Sequence, residues 1–108
     1  MVLIVAQSWY PLSQAGKAGK AYLEALKKYP EDLSLGKPIL RSAVKISKEG
    51  IHTIAISSVK EGKFKEAMDY VIKVSLMNAE SIEGLKTTID TYYDLVEAMP
   101  FVGLKAPE

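Results

Sequence analysis

Cysteine is absent, and histidine and tryptophan occur once each, at His52 and Trp9. Without a thiol the chain can form no disulfide, no thiolate nucleophile and no cysteine-ligated zinc or iron–sulfur centre. With a single imidazole, one protomer cannot assemble a multi-histidine metal site, so no metal is expected. An excess of charge is missing too: 14 basic residues face 13 acidic ones, for a net +1. That balance gives no electrostatic ground for nucleic acid or an anionic membrane as partner. No apolar run approaches the roughly 18 residues of a membrane span. The opening MVLIVAQSWYP has neither the basic segment nor the small-residue cleavage site of an export signal. No glycine-rich phosphate motif occurs either, since AGKAG lies inside a helical pattern. The expectation is a soluble, cytoplasmic chain with no cofactor.

What is present is ordinary globular composition. At 108 residues, 48% hydrophobic and 25% charged, the chain suits a single domain over residues 1–108 with a substantial core. VLIV at residues 2–5, followed by Ala6, reads as an interior strand buried on both faces, and Pro11 ends it. Ser13 is placed to cap a helix running to Tyr29. Its apolar or small positions, Ala15, Ala18, Tyr22, Ala25, Leu26 and Tyr29, share one face, and Pro30 stops it. Gly16 and Gly19 each cost that helix about 1 kcal/mol relative to alanine, which close approach to a sheet would explain.

ILRSAVKIS (residues 39–47) and IHTIAISSV (residues 51–59) read as two strands joined by KEG. A three-residue loop with Gly50 left-handed would pair Ser47 with Ile51. Leu40, Val44, Ile46, Ile54 and Ile56 would then face the helices. Arg41, Ala43, Lys45, Thr53, Ala55 and Ser57 would face away. A second helix is predicted from Lys63 to Asn78, with an apolar stripe through Phe64, Ala67, Met68, Val71, Ile72, Val74 and Ser75. Residues 85–93 fit either period, but TTIDTYY is rich in threonine and aromatics and reads as a fourth strand. Asp94 with Glu97 three residues later marks a fresh, short helix, closed by Pro100.

The order βαββαβ plus a terminal helical turn resembles the ferredoxin-like fold: an antiparallel α+β sheet with two helices on one face. The fragments SWYP, VKEGKFKEAMDYV and DLVEAMPFVG resemble small prokaryotic proteins of that layout, a likeness that implies no activity. The layout is also similar to the dimeric α+β barrel superfamily, in which two such sheets pack face to face and the space between them often becomes a ligand cavity. That resemblance implies a homodimer, or a higher even oligomer, with a small-molecule ligand. Relatives of the same layout with other functions fit less well. IHTIAISSV lacks the stacking aromatics of an RNA-recognition module. WYPLSQ lacks both the cysteine pair of a metal chaperone and the arginine of an acylphosphatase-like loop.

Candidate site residues follow from the expected open face of the sheet. Trp9 would lie at its rim, as dimer seam or cavity wall. Arg41 could clamp an anion, or pair with Asp90 or a glutamate. Asp90 and Tyr92 would share that face from strand four. His52, expected on the helix side, and Tyr92 are the candidate proton-transfer groups. Three functions remain open on the sequence: a binder of a small organic metabolite, a cofactor-independent isomerase or monooxygenase-like enzyme, and a structural or protein-interaction module.

Overall fold

A computed structural model describes residues 1–106. The elements run β1 (Val2–Tyr10), α1 (Ala15–Lys28), β2 (Gly36–Ser47), β3 (Gly50–Val59), α2 (Phe64–Ser81), β4 (Lys86–Tyr93) and the short α3 (Leu95–Ala98). The strands form one antiparallel sheet in the order β2-β3-β1-β4. The layout is ferredoxin-like, as the element order implied, and residues 86–93 are strand.

β1 is a central strand, and the alternation of its side chains sets both faces. Val2, Ile4, Ala6, Ser8 and Tyr10 point toward the helices. Leu3, Val5, Gln7 and Trp9 point away. Ile4 is 1% exposed and forms the core with Val59 on β3 and Ala67 on α2.

Helix α1 starts later than Ser13 suggested. Residues 12–14 make a 3-10 turn, and the α-helix begins at Ala15 with no side-chain cap. The buried Gln14 does a different job: its Oε1 accepts from the Glu83 backbone N–H at 3.1 Å, tying the start of α1 to the chain leaving α2. The capping at Asp94 is as expected, its carboxylate accepting from the Glu97 N–H at 3.0 Å. That bond holds the Asp94 carboxyl below its ordinary pKa.

The β2–β3 hairpin departs from expectation in a way that matters. Ser47 pairs with Gly50, so the turn is the two residues Lys48 and Glu49. Gly50 has φ +124°, and a Cβ there would lie 2.6 Å from the Tyr10 carbonyl oxygen. The one-residue difference in register moves every β3 side chain to the opposite face. Thr53, Ala55 and Ser57 look toward the helices, while His52, Ile54 and Ile56 face away, the reverse of the expected arrangement. Val44 and Ile46 lie on the helix side as expected. Between Pro38 and Ala43 two irregularities interrupt β2. Such bulges re-aim side chains, and Arg41, expected on the open face, turns to the helix side.

Candidate functional site

Two surfaces with small side chains face each other across the layer. The sheet offers Ala6, Ser8, Thr53 and Ala55, and α1 offers Ala15, Ala18 and Gly19. Such residues cannot fill the roughly 10 Å between packed layers. Helix α1 packs on α2 and has little contact with the strands. The result is a cavity of about 670 Å³ between the helices and the sheet, within the range of small-molecule sites. The expected close approach of α1 is therefore not what its glycines serve. A Cβ added at Gly16 or Gly19 would meet nothing within 4 Å.

The cavity is apolar along its middle and polar at two places. Val71 and Val74 of α2 form the roof opposite Ala6 and Ala55. At one end β1 finishes in Tyr10 and α2 contributes Asn78, whose Oδ1 is buried with no hydrogen-bond partner. Burial pushes the Tyr10 phenol above its ordinary pKa. Ser8 and Thr53 lie opposite each other on the floor near that end, and Ser8 Oγ is 3.2 Å from Thr87 Oγ1. The Tyr70 hydroxyl donates to the Tyr29 carbonyl at 2.9 Å, and burial raises its pKa also.

The second polar place is the mouth, along the edge strand β2. There Arg41 donates to both carboxylate oxygens of Glu31, at 2.8 and 3.1 Å. The shared hydrogen bonds lower the Glu31 pKa and raise that of Arg41. The mouth is rimmed by exposed apolar side chains, among them Tyr22, Leu33, Val44 and Ile46. A smaller hollow of about 350 Å³ separates α2 from β4, between Ile72, Leu76 and Ile89.

The predicted site residues do not converge. Trp9, His52, Asp90 and Tyr92 are all on the open face, away from the cavity. Arg41 sits at the cavity mouth on one edge strand, and Asp90 sits on the other edge strand, so the suggested Arg41–Asp90 pair does not form. His52 is opposite Trp9, whereas Tyr92 is opposite Leu3, six positions along β1. On the open face, the His52 and Trp9 rings stack with centroids 4.8 Å apart and planes 6° from parallel. His52 Nε2–H donates to Gln7 Oε1 at 2.9 Å. Two lysines flank this pair in direct register, Lys45 beside His52 and Lys86 beside Trp9. Among the described residues no group of three or more histidine, aspartate or glutamate side chains is placed to hold a metal.

Solved structures of similar fold cover most of the chain. The chain has the ferredoxin-like fold. A de novo designed protein, Foldit4, matches with a TM-score of 0.57 at 8% identity, over 86% of this chain and 96% of that one. A candidate antibiotic biosynthesis monooxygenase from Caulobacter crescentus matches with a TM-score of 0.52 at 14% identity, over 84% and 87% of the two chains. A dimeric ferredoxin-like protein from an uncultured marine organism matches with a TM-score of 0.47 at 8% identity, over 86% and 89%. No family model matches the chain, and no curated protein is significantly similar to it.

Sequence reasoning missed Asn78, Ala55 and Gly19 as cavity residues. Asn78 was the one with a signal. It is a polar residue on the helix face that Val71 and Val74 make apolar, and a polar group there needs a partner. Alanine and glycine on facing surfaces carry no such mark, because the same residues also serve close packing.

Proposed function

We propose that this protein is a homodimer that binds a small, mostly apolar organic molecule in the cavity between its helices and its sheet. The observation that carries the proposal is the largely apolar cavity of about 670 Å³ between α1, α2 and the sheet. The space opens along β2, so its apolar lining meets water in place of contact partners. A ligand supplies them.

Two quantities support the dimer. The accessible surface is 7522 Å², against about 6,000 Å² for a compact monomer of this mass. The excess of about 1,500 Å² exceeds the roughly 800 Å² that each partner gives to a standard interface. The radius of gyration, 15.4 Å, is likewise larger than the roughly 13 Å of a compact chain this long. On the open face Leu3, Val5, Ile54 and Ile56 form an apolar centre, and Tyr92 is 52% exposed. A second copy laid against this face would bury them and place Trp9 and His52 at the seam.

Binding without catalysis fits the lining better than an activity of the kind named for the Caulobacter protein. The lining phenols of Tyr10 and Tyr70 are held protonated by burial. The lining carboxylates, Glu31 and Asp32, are exposed at the mouth. His52 and Tyr92, the proton-transfer candidates, are on the other side of the sheet.

Native mass spectrometry of freshly purified protein tests both parts. The expected spectrum is a dimer carrying a small-molecule adduct, with Ala55→Phe losing the adduct while remaining dimeric. A monomer would refute the face-to-face arrangement, and an adduct retained by Ala55→Phe would place the ligand elsewhere.

A further inference from the structure

The charges on the open face of the sheet restrict how a second copy can lie against it; this rests on the homodimer proposed above. Three successive outward rows cross the four strands. The row of Trp9 carries Lys45, His52 and Lys86, and the row of Val5 carries Leu40, Ile56 and Asp90. The row of Gln7, between them, adds Ala43, Ile54 and Thr88 and is uncharged. The four corners of this patch lie on the edge strands β2 and β4. Two of them are cations, Lys45 and Lys86, one is the carboxylate of Asp90, and the last is Leu40. Among the described residues none of these three charges belongs to an ion pair.

A face-to-face dimer has its two-fold axis in the plane between the sheets, so each corner meets a corner fixed by symmetry. Packed sheets are either aligned or crossed near 90°. An aligned pair with its axis along the strands sets Lys86 over the partner's Lys45, twice. A crossed pair has a diagonal axis, which always lays a charged corner on its own copy: Asp90 and Lys45, or Lys86. An aligned pair with its axis across the strands, through the row of Gln7, brings no like charges together. It sets Lys86 over the partner's Asp90, twice, and Lys45 over the partner's Leu40. The stacked rings of Trp9 and His52 then cover the partner's Val5 and Ile56.

We infer that the dimer axis crosses the strands at the row of Gln7 and that Lys86 pairs with the partner's Asp90. Packed sheets lie roughly 10 Å apart, a gap that an extended lysine and an aspartate span together. The pair sits on an edge strand, at the rim of the seam, where charges select the orientation of a partner more than they add affinity.

Charge reversal reads the axis by the sign of its effect on the dimer dissociation constant, measured by sedimentation velocity on the full chain at low salt. Lys86→Asp sets carboxylate against carboxylate at two places and should weaken the dimer about tenfold, an effect that about 1 M salt should remove. Lys45→Asp, facing Leu40, should leave the constant near that of the natural chain. The double variant Lys86→Asp/Asp90→Lys exchanges both members of the pair and should restore the natural constant, which a misfolded chain could not do. A tighter dimer in Lys86→Asp would overturn the inference in favour of an axis along the strands. A weaker one in Lys45→Asp would overturn it in favour of the crossed arrangement. A natural dimer indifferent to both reversals would overturn the ion pair and leave the homodimer standing. A natural chain that stays monomeric at every concentration would overturn the homodimer, and the arrangement with it.

Discussion

Gly19→Ala distinguishes an open cavity from a collapsed one by the sign of a stability change. In a helix interior, alanine is favoured over glycine by about 1 kcal/mol. The added methyl group meets nothing within 4 Å, because it projects into the cavity. No packing cost offsets the gain, and the substitution should stabilise the protein by about 1 kcal/mol. For a chain of this length that is a rise of about 4–8 °C in the melting midpoint. If α1 instead lay against the sheet, the same methyl would overpack the layer at a cost of about 1–3 kcal/mol, and the midpoint would fall. The two outcomes differ by that packing cost, roughly 1–3 kcal/mol, which urea titration of a small domain resolves. Gly16→Ala is the control, since its Cβ also meets nothing within 4 Å but Gly16 does not line the cavity. Its gain should appear in either case. Urea and thermal melts should be run at one protein concentration, because the proposed dimer would make the midpoint concentration-dependent. Destabilisation by Gly19→Ala alongside stabilisation by Gly16→Ala would refute the cavity.

Gly50→Ala should destabilise by about 1–3 kcal/mol or more, because it combines a φ of +124° with a Cβ placed 2.6 Å from the Tyr10 carbonyl oxygen; a urea midpoint equal to that of the natural chain would show that the turn has another geometry. The raised phenol pKa values of Tyr10 and Tyr70 favour the neutral form in the folded state. Their contribution to stability is therefore complete below the ordinary tyrosine pKa of about 10 and lost as pH rises through the raised folded values. Absorbance titration at alkaline pH should show a late-titrating subset among the six tyrosines, coincident with unfolding, whereas a single uniform titration would contradict their burial.

Much of the fold was legible because it is written in long-range patterns. The apolar VLIV run marked the central strand, the prolines at 11 and 30 bounded the first helix, and Asp94 with Glu97 marked the last one. The β2–β3 register was not legible, because KEG suits both a two-residue and a three-residue turn. The two options differ by local backbone energies that sequence pattern does not resolve. Both alternating sets on β3 are compatible with burial, so hydrophobicity could not settle which faced inward. That single ambiguity put His52 on the wrong face. Arg41 was misplaced for a separate reason, a bulge in an edge strand that leaves no signature in composition. The cavity was invisible because it is made by what the side chains do not fill.

The turn at Lys48 and Glu49 also bears on how such a protein can diversify. β3 carries a bulky row, His52, Ile54 and Ile56, and a slender row, Thr53, Ala55 and Ser57. Closing the turn over Lys48, Glu49 and Gly50, so that Ser47 met Ile51 and β3 shifted by one position, would exchange them, sending the isoleucines into the space above the sheet and the slender row outward. The chamber would be plugged and the outer surface flattened in one event, with no core residue replaced. Descendants of such a chain could thus exchange an open interior for a solid one through the chemistry of an exposed turn, where sequence change is tolerated. Turn length in this hairpin, more than residue identity along β3, is then the feature by which chambered and solid members of such a lineage would be told apart.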